Sequence, residues 1–119
     1  MIAKTHDMQW MRGDTTRIGV SIKGLAGEPD ELTFSVKHYK SDAEYIIRKT
    51  LGNGIESETA EAGLRYVITI EAADTEELMA ASYCYDLEAI INGDTITLLT
   101  GKITLAADVT RHNGEEAGV

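Results

Sequence analysis

The sequence predicts an all-β fold, an antiparallel sandwich of about seven or eight strands, and three observations predict it. Apolar residues alternate with polar ones at a period of two from the N-terminus to about residue 110. Helical periodicity is nearly absent. Turn residues interrupt the alternation every 8–12 residues, the spacing of a chain that folds back on itself in short strands.

The first strand ends near Trp10, and Arg12-Gly13-Asp14 turns the chain into the second. Thr16–Ile22 places Ile18, Val20 and Ile22 on one face, with Arg17, Gly19 and Ser21 between them. Gly24 to Glu31, which holds the only proline, Pro29, reads as a loop. Leu32–His38 places Leu32, Phe34 and Val36 on one face, and the stretch from Leu64 does the same with Leu64, Tyr66, Ile68 and Ile70. In Ser82–Ile91, Tyr83, Tyr85, Leu87, Ala89 and Ile91 share a face, opposite Ser82, Cys84, Asp86 and Glu88. One side on a core and one on water gives this pattern in an antiparallel sheet.

Leu51-Gly52-Asn53-Gly54 and Asn92-Gly93-Asp94 supply residues that tolerate positive φ, and both predict tight hairpins. Asp74-Thr75-Glu76-Glu77 predicts one helical turn with Asp74 as its N-cap. The last strand breaks phase: Ile96 and Leu98 are even, whereas Ile103, Leu105, Ala107 and Val109 are odd. A β-bulge near Leu99-Thr100-Gly101 absorbs the extra residue. Residues 1–110 then form a single immunoglobulin-like sandwich, and 111–119 a flexible polar tail. Asp74–Tyr85 fits the corner before the sixth strand of such folds, where a tyrosine hydroxyl bonds back to the backbone; Tyr83 and Tyr85 are the two candidates. Trp10 lies on the first strand, not at the core position of antibody domains, and the lone Cys84 excludes their internal disulfide.

The C-terminal half carries a longer string: Asp74-Thr75, Leu78, Tyr83-Cys84-Tyr85-Asp86-Leu87, Asn92-Gly93-Asp94, Thr97-Leu98-Leu99-Thr100-Gly101 and Asp108-Val109-Thr110. This string resembles small phage and prophage tail proteins, in particular the N-terminal domain of baseplate upper proteins of phages of Gram-positive bacteria. Gly13-Asp14 and Leu32–Lys37 fit the same pattern, so the resemblance covers about residues 5–110. Ala80-Ala81-Ser82 departs from it, standing where the family usually has a glycine. The resemblance implies a virion or tail component assembled in the bacterial cytoplasm. Its structural positions are Gly13, Asp14, Asp74, Tyr83, Tyr85, Asp86, Gly93, Gly101 and Thr110.

Composition narrows the partners. The chain has 20 acidic against 11 basic residues, a net charge of −9, so phosphate-rich nucleic acid and anionic membranes are poor partners. No run of apolar residues is long enough for a membrane helix. The start, MIAKTHDMQW, lacks the apolar stretch of a secretory signal, so no processed leader is expected.

No constellation for chemistry stands out, and neither a catalytic residue nor a cofactor or metal site is expected. Asp86 and Glu88 share a strand face, where a solvated surface is a better reading than a calcium site or an acid–base pair. His6, His38 and His112 lack ligand spacing, and Cys84 lacks a recognisable base. Arg12-Gly13-Asp14 matches an integrin-recognised tripeptide, but Gly-Asp is ordinary turn chemistry. The expected function is therefore non-catalytic assembly with other virion proteins or further copies of the chain. Tyr39, Tyr45, Ile46 and Ile90 are the contact candidates. A cell-surface or carbohydrate-binding adhesion module is the alternative, and a hydrolase built on Asp86 and Glu88 a distant third.

Overall fold

The computed structural model describes residues 4–22, 28–60 and 63–109. Its elements are β1 (Lys4–Thr5), β2 (Met8–Met11), β3 (Thr16–Ile22), β4 (Glu31–Lys37), β5 (Ile47–Leu51), β6 (Gly54–Ala60), β7 (Gly63–Ile70), α1 (Ala72–Thr75), β8 (Ser82–Ile91) and β9 (Asp94–Ala106). The pairing order runs β1-β9-β8-β4-β5-β6-β7-β3, and β2 also pairs β9. Residues on both arms of this path share one core. Val20, Ile55 and Ile68 come from one arm, Leu32, Phe34 and Leu87 from the other. The path therefore folds over at β5–β6 into two layers, with β9-β8-β4-β5 facing β6-β7-β3. This is the immunoglobulin-like sandwich that the alternation predicts.

The alternating residues explain the layers. β8 buries Tyr83, Tyr85, Leu87, Ala89 and Ile91 while the residues between them stay partly accessible. Phe34, 1% exposed, sits at the centre, its ring centroid 5.5 Å from Tyr85 and 6.4 Å from Trp10. Truncating such a ring to alanine costs about 3–5 kcal/mol, from lost burial and from the cavity left behind.

Three expectations need correction. First, β1 and β2 pair β9 in parallel, so the sheet is not purely antiparallel. Second, Leu51-Gly52-Asn53-Gly54 makes the expected tight turn, in which Thr50 and Asn53 exchange backbone N–H···O bonds at 3.0 and 2.8 Å, but the strands on either side do not continue as an antiparallel pair. β5 and β6 meet in parallel over two residue pairs only, Thr50 with Gly54 and Leu51 with Ile55, and this turn carries the chain into the other layer.

Third, the helical turn begins earlier than Asp74. Glu71 is the N-cap, and Asp74, at the third helical position, accepts the Glu71 backbone N–H at 2.7 Å. The same Asp74 oxygen pairs with Lys49 Nζ at 2.8 Å and so fastens α1 to β5. The expected bulge is present, beside Leu99. Leu87 pairs with Leu99 and Glu88 with Thr97, so Leu98 is the extra residue. Ile96, Leu98 and Leu99 all reach the core as partly buried residues, which is how one strand serves it in both phases.

The corner tyrosine is Tyr83, whose hydroxyl donates to the Met79 carbonyl at 2.6 Å. Asn92 and Gly93 turn between β8 and β9 with φ of 51° and 86°, as a two-residue primed hairpin requires. At Gly13 the backbone N–H donates to the Thr75 hydroxyl at 2.9 Å, and the Asp14 N–H to the Met11 carbonyl at 3.2 Å, so this turn packs against α1. Thr110, the tail 111–119 with His112, and residues 24–27 of the Gly24–Glu31 loop lie outside the described residues.

Candidate functional site

The outer face of the β9-β8-β4-β5 layer holds a groove of about 390 Å³. Its floor follows from two alternations in register. On β8 the outward residues are Cys84, Asp86, Glu88 and Ile90, and on β4 they are Glu31, Thr33, Ser35 and Lys37. Pairing sets Cys84 beside Lys37, Asp86 beside Ser35, Glu88 beside Thr33, and Ile90 beside Glu31. Arg48 of β5 adds to the Ser35 row and Thr100 of β9 to the Asp86 side. Successive rows lie about 7 Å apart, two residues along a strand.

Charge is sorted along the groove. Lys37 stands at one end and Arg48 one row in, level with Asp86; each lies 5.1 Å from the centre of the Tyr45 ring, and Lys40 lines the same groove. Lys37 Nζ also donates to the Asp42 carbonyl at 2.7 Å. Glu88 and Glu31 occupy the other end, with Asp86 between the two ends. Burial pushes the Asp86 carboxyl up from its ordinary pKa, and the negative Glu88 pushes it further, while Lys37 and Lys40 pull it down. Among the described residues the ion pairs are Arg12–Asp108, Lys49–Asp74 and Arg65–Glu58, and none involves the groove carboxylates. Nor, among the described residues, do three His, Cys, Asp or Glu groups converge closely enough to hold a metal ion.

The contact candidates divide between this groove and its margin. Tyr45, 48% exposed, and Ile90 line it at opposite ends. Tyr39 and Ile46 are also exposed, but they belong to the β4–β5 connection beyond the groove. There the Tyr39 N–H donates to the Asp42 carboxylate at 3.0 Å. Asp86 and Glu88 are brought to one face, as the alternation requires. His38 lies just past the end of β4, its ring 4.2 Å from Tyr39 and 5.4 Å from Tyr83. Cys84 is half-buried, with its thiol against the Lys37 carbonyl at 3.4 Å. Arg12 is occupied within the fold: its Nε donates to Asp108 at 2.8 Å and its Nη1 to the Leu78 carbonyl at 3.3 Å.

Glu31, Lys37 and Arg48 have no place in the sequence reading of a site. Glu31 falls there in a loop, Lys37 is only an outward position of its strand, and Arg48 lies in a stretch given no element. Register alone joins them to Asp86 and Glu88.

No protein-family model matches the chain, and no curated protein matches it in sequence. Among solved structures, the BTLA ectodomain is 14% identical with a TM-score of 0.49, the match covering 91% of this chain and 95% of that one. The extracellular domain of the voltage-gated sodium channel beta4 subunit is 12% identical, covering 92% and 97%, with a TM-score of 0.43. Novel immune-type receptor 11 from Ictalurus punctatus is 10% identical, covering 98% and 94%, with a TM-score of 0.42.

Proposed function

We propose that this chain is a non-catalytic contact module that holds a protein partner on the outer face of its β9-β8-β4-β5 layer. The observation that carries the reading is the groove itself. Opposite charges are sorted along it, a half-exposed tyrosine stands at one end, and among the described residues its carboxylates form no ion pair. Sorted charge of this kind gives orientation and specificity to an encounter. Tyrosine and arginine, here Tyr45 and Arg48, are the residue types enriched where proteins meet.

Two settings suit such a module. An open, polar groove with an aromatic at its rim supports an adhesion or recognition role, in which the partner lies on another surface. The Tyr83–Asp86 to Asp108–Thr110 string supports the second, a tail or baseplate component of a virion assembled in the bacterial cytoplasm. Co-sedimentation of the chain with intact phage particles selects the second; a chain recovered only away from particles selects the first.

A photo-crosslinking amino acid placed at Thr33, inside the groove, or at Glu56, exposed on β6 of the other layer, tests the contact face. In the native cell, Thr33 is expected to capture a discrete second protein and Glu56 none. Capture from Glu56 with silence at Thr33 overturns the proposed face.

A further inference from the structure

We propose that the free edge of β3 takes an added strand, an extended segment of a partner protein in which apolar and acidic residues alternate; this goes beyond the groove and does not depend on it. β3 ends the pairing path and, among the described residues, pairs β7 alone. A strand bonded on one side only leaves a row of N–H and C=O groups pointing away from the sheet. On β3 that row belongs to a strand of seven residues in unbroken register with β7. Soluble proteins guard such an edge with a short strand, a lysine, a proline or a bulge. The other end of the path is guarded in this way: β1 has two residues including Lys4, β2 has four, and His6-Asp7 interrupts them. β3 has none of these devices. Backbone groups left in such a row recognise an extended strand.

Charge selects the strand. Arg17 and Arg65 are the only charged side chains of β3 and β7, and both lie on the outer face, opposite the core residues Val20, Ile22, Tyr66 and Ile68. Arg65 starts on β7 opposite Ser21 and gives its Nε to Glu58 at 2.9 Å. Its guanidinium extends over Gly19, where an added Cβ would collide with it. The missing side chain at position 19 thus lets a β7 arginine reach across to the edge strand. Arg17 stands two residues along β3, about 7 Å away, exposed and outside the ion pairs of the described residues. An added strand would lie about 4.8 Å beyond β3, with its outward side chains beside both guanidinium groups. Acidic side chains there meet two cations, in a molecule whose net charge is −9. On the inward side the neighbour is Ile18, partly buried against the core, so apolar residues suit the alternate positions. A second copy of the chain does not fit. Pairing β3 with β3 would gather the arginines of both copies on one face of the seam, and like charges facing across a ladder destabilise it.

The test uses the isotope-labelled full chain and the peptide acetyl-Val-Glu-Val-Glu-Val-amide, read by backbone amide shifts and amide hydrogen exchange. In the free chain, alternate amides of Thr16–Ile22 are expected to exchange fast, and those between them, bonded to β7, slowly. Millimolar peptide is expected to give saturable shifts confined to β3 and its β7 neighbours, and to slow the fast set. The same peptide with every backbone nitrogen methylated keeps its side chains, loses its donors, and is expected to give none. Acetyl-Val-Gln-Val-Gln-Val-amide is expected to bind about two- to fivefold more weakly, the weight of an exposed charge pair, and Arg17→Gln to narrow that gap. Slow exchange at all of these amides in the free chain, or no saturable shift at β3, overturns the proposal. Equal binding of the glutamate and glutamine peptides overturns the acidic partner. Fast amides that turn slow as the chain itself dimerises put a second copy in its place. None of these readings involves the groove, so crosslinking at Thr33 stands or falls separately.

Discussion

The Tyr85 hydroxyl donates to the carbonyl of His6, a bond that spans 79 residues of sequence. It joins the middle of β8 to the kink between β1 and β2, where the His6 N–H donates to the Thr100 carbonyl at 2.9 Å and the Asp7 carboxylate accepts the Lys102 N–H at 2.9 Å. Gly101 pairs with Tyr85 on β9, and a Cβ built there collides with the His6 carbonyl. The N-terminal strand thus lies against β9 because position 101 has no side chain.

Gly101→Ala is expected to lift β1 from β9 and to cost about 1–3 kcal/mol, the range for forcing an extra carbon into a packed contact. Tyr85→Phe removes the bond from the other side. Both changes act on the same contact, so the double variant is expected to lose less than the two single losses added together. Denaturant unfolding of the four proteins measures this.

Tyr83→Phe deletes the corner bond to the Met79 carbonyl and leaves the ring, which is 6% exposed, in place. A loss of about 1–2 kcal/mol is expected, the value of a partly buried hydrogen bond. Equilibrium unfolding in urea reads it directly. An unchanged midpoint would show that Tyr83 serves only as core.

Gly93→Ala tests the hairpin. The residue has φ of 86°, and an added Cβ meets nothing within 4 Å, so strain of the backbone is the whole effect. The expected loss is about 1–2 kcal/mol, the penalty for a left-handed residue bearing a side chain.

Asp86 has a pH signature. Its pKa is raised in the fold, first by burial and then by Glu88, so the folded state binds protons more readily than the unfolded one. Stability is therefore lost as pH rises through the raised value, and the penalty is absent well below the ordinary value of 3.8. Asp86→Asn removes the charge. At neutral pH it is expected to stabilise the chain modestly, by about 0.5 kcal/mol, the scale of surface changes. Thermal unfolding across the acid range is expected to show that gain vanish at the low end.

Much of this fold is legible in the sequence, because a strand's period of two is local information. Thr16–Ile22 and Ser82–Ile91 appear at their observed bounds, and Asn92-Gly93 marks its turn, since positive φ favours those residue types. The parallel pairing of β1 and β2 with β9 is not legible, because strand direction depends on long-range packing and leaves no mark in either segment. At Gly52–Gly54 the turn is legible, but its glycines suit a hairpin and a layer crossing equally, so the crossing is not. The bulge shows as a phase break, but whether Leu98 or a neighbour absorbs the extra residue depends on the register with β8. The groove follows the same rule. Asp86 and Glu88 share a face by alternation alone, whereas Glu31 and Arg48 join them only once β4 is paired on both sides.

Carboxyl footprinting of the chain, free and in its assembled state, tests the central claim most directly. Carbodiimide labelling with mass spectrometry reports each acid separately. Glu31, Asp86 and Glu88 are expected to become protected on assembly, while Glu56 and Glu58 on β6 keep their labelling. Protection of the β6 glutamates with the groove acids still labelled would contradict the account.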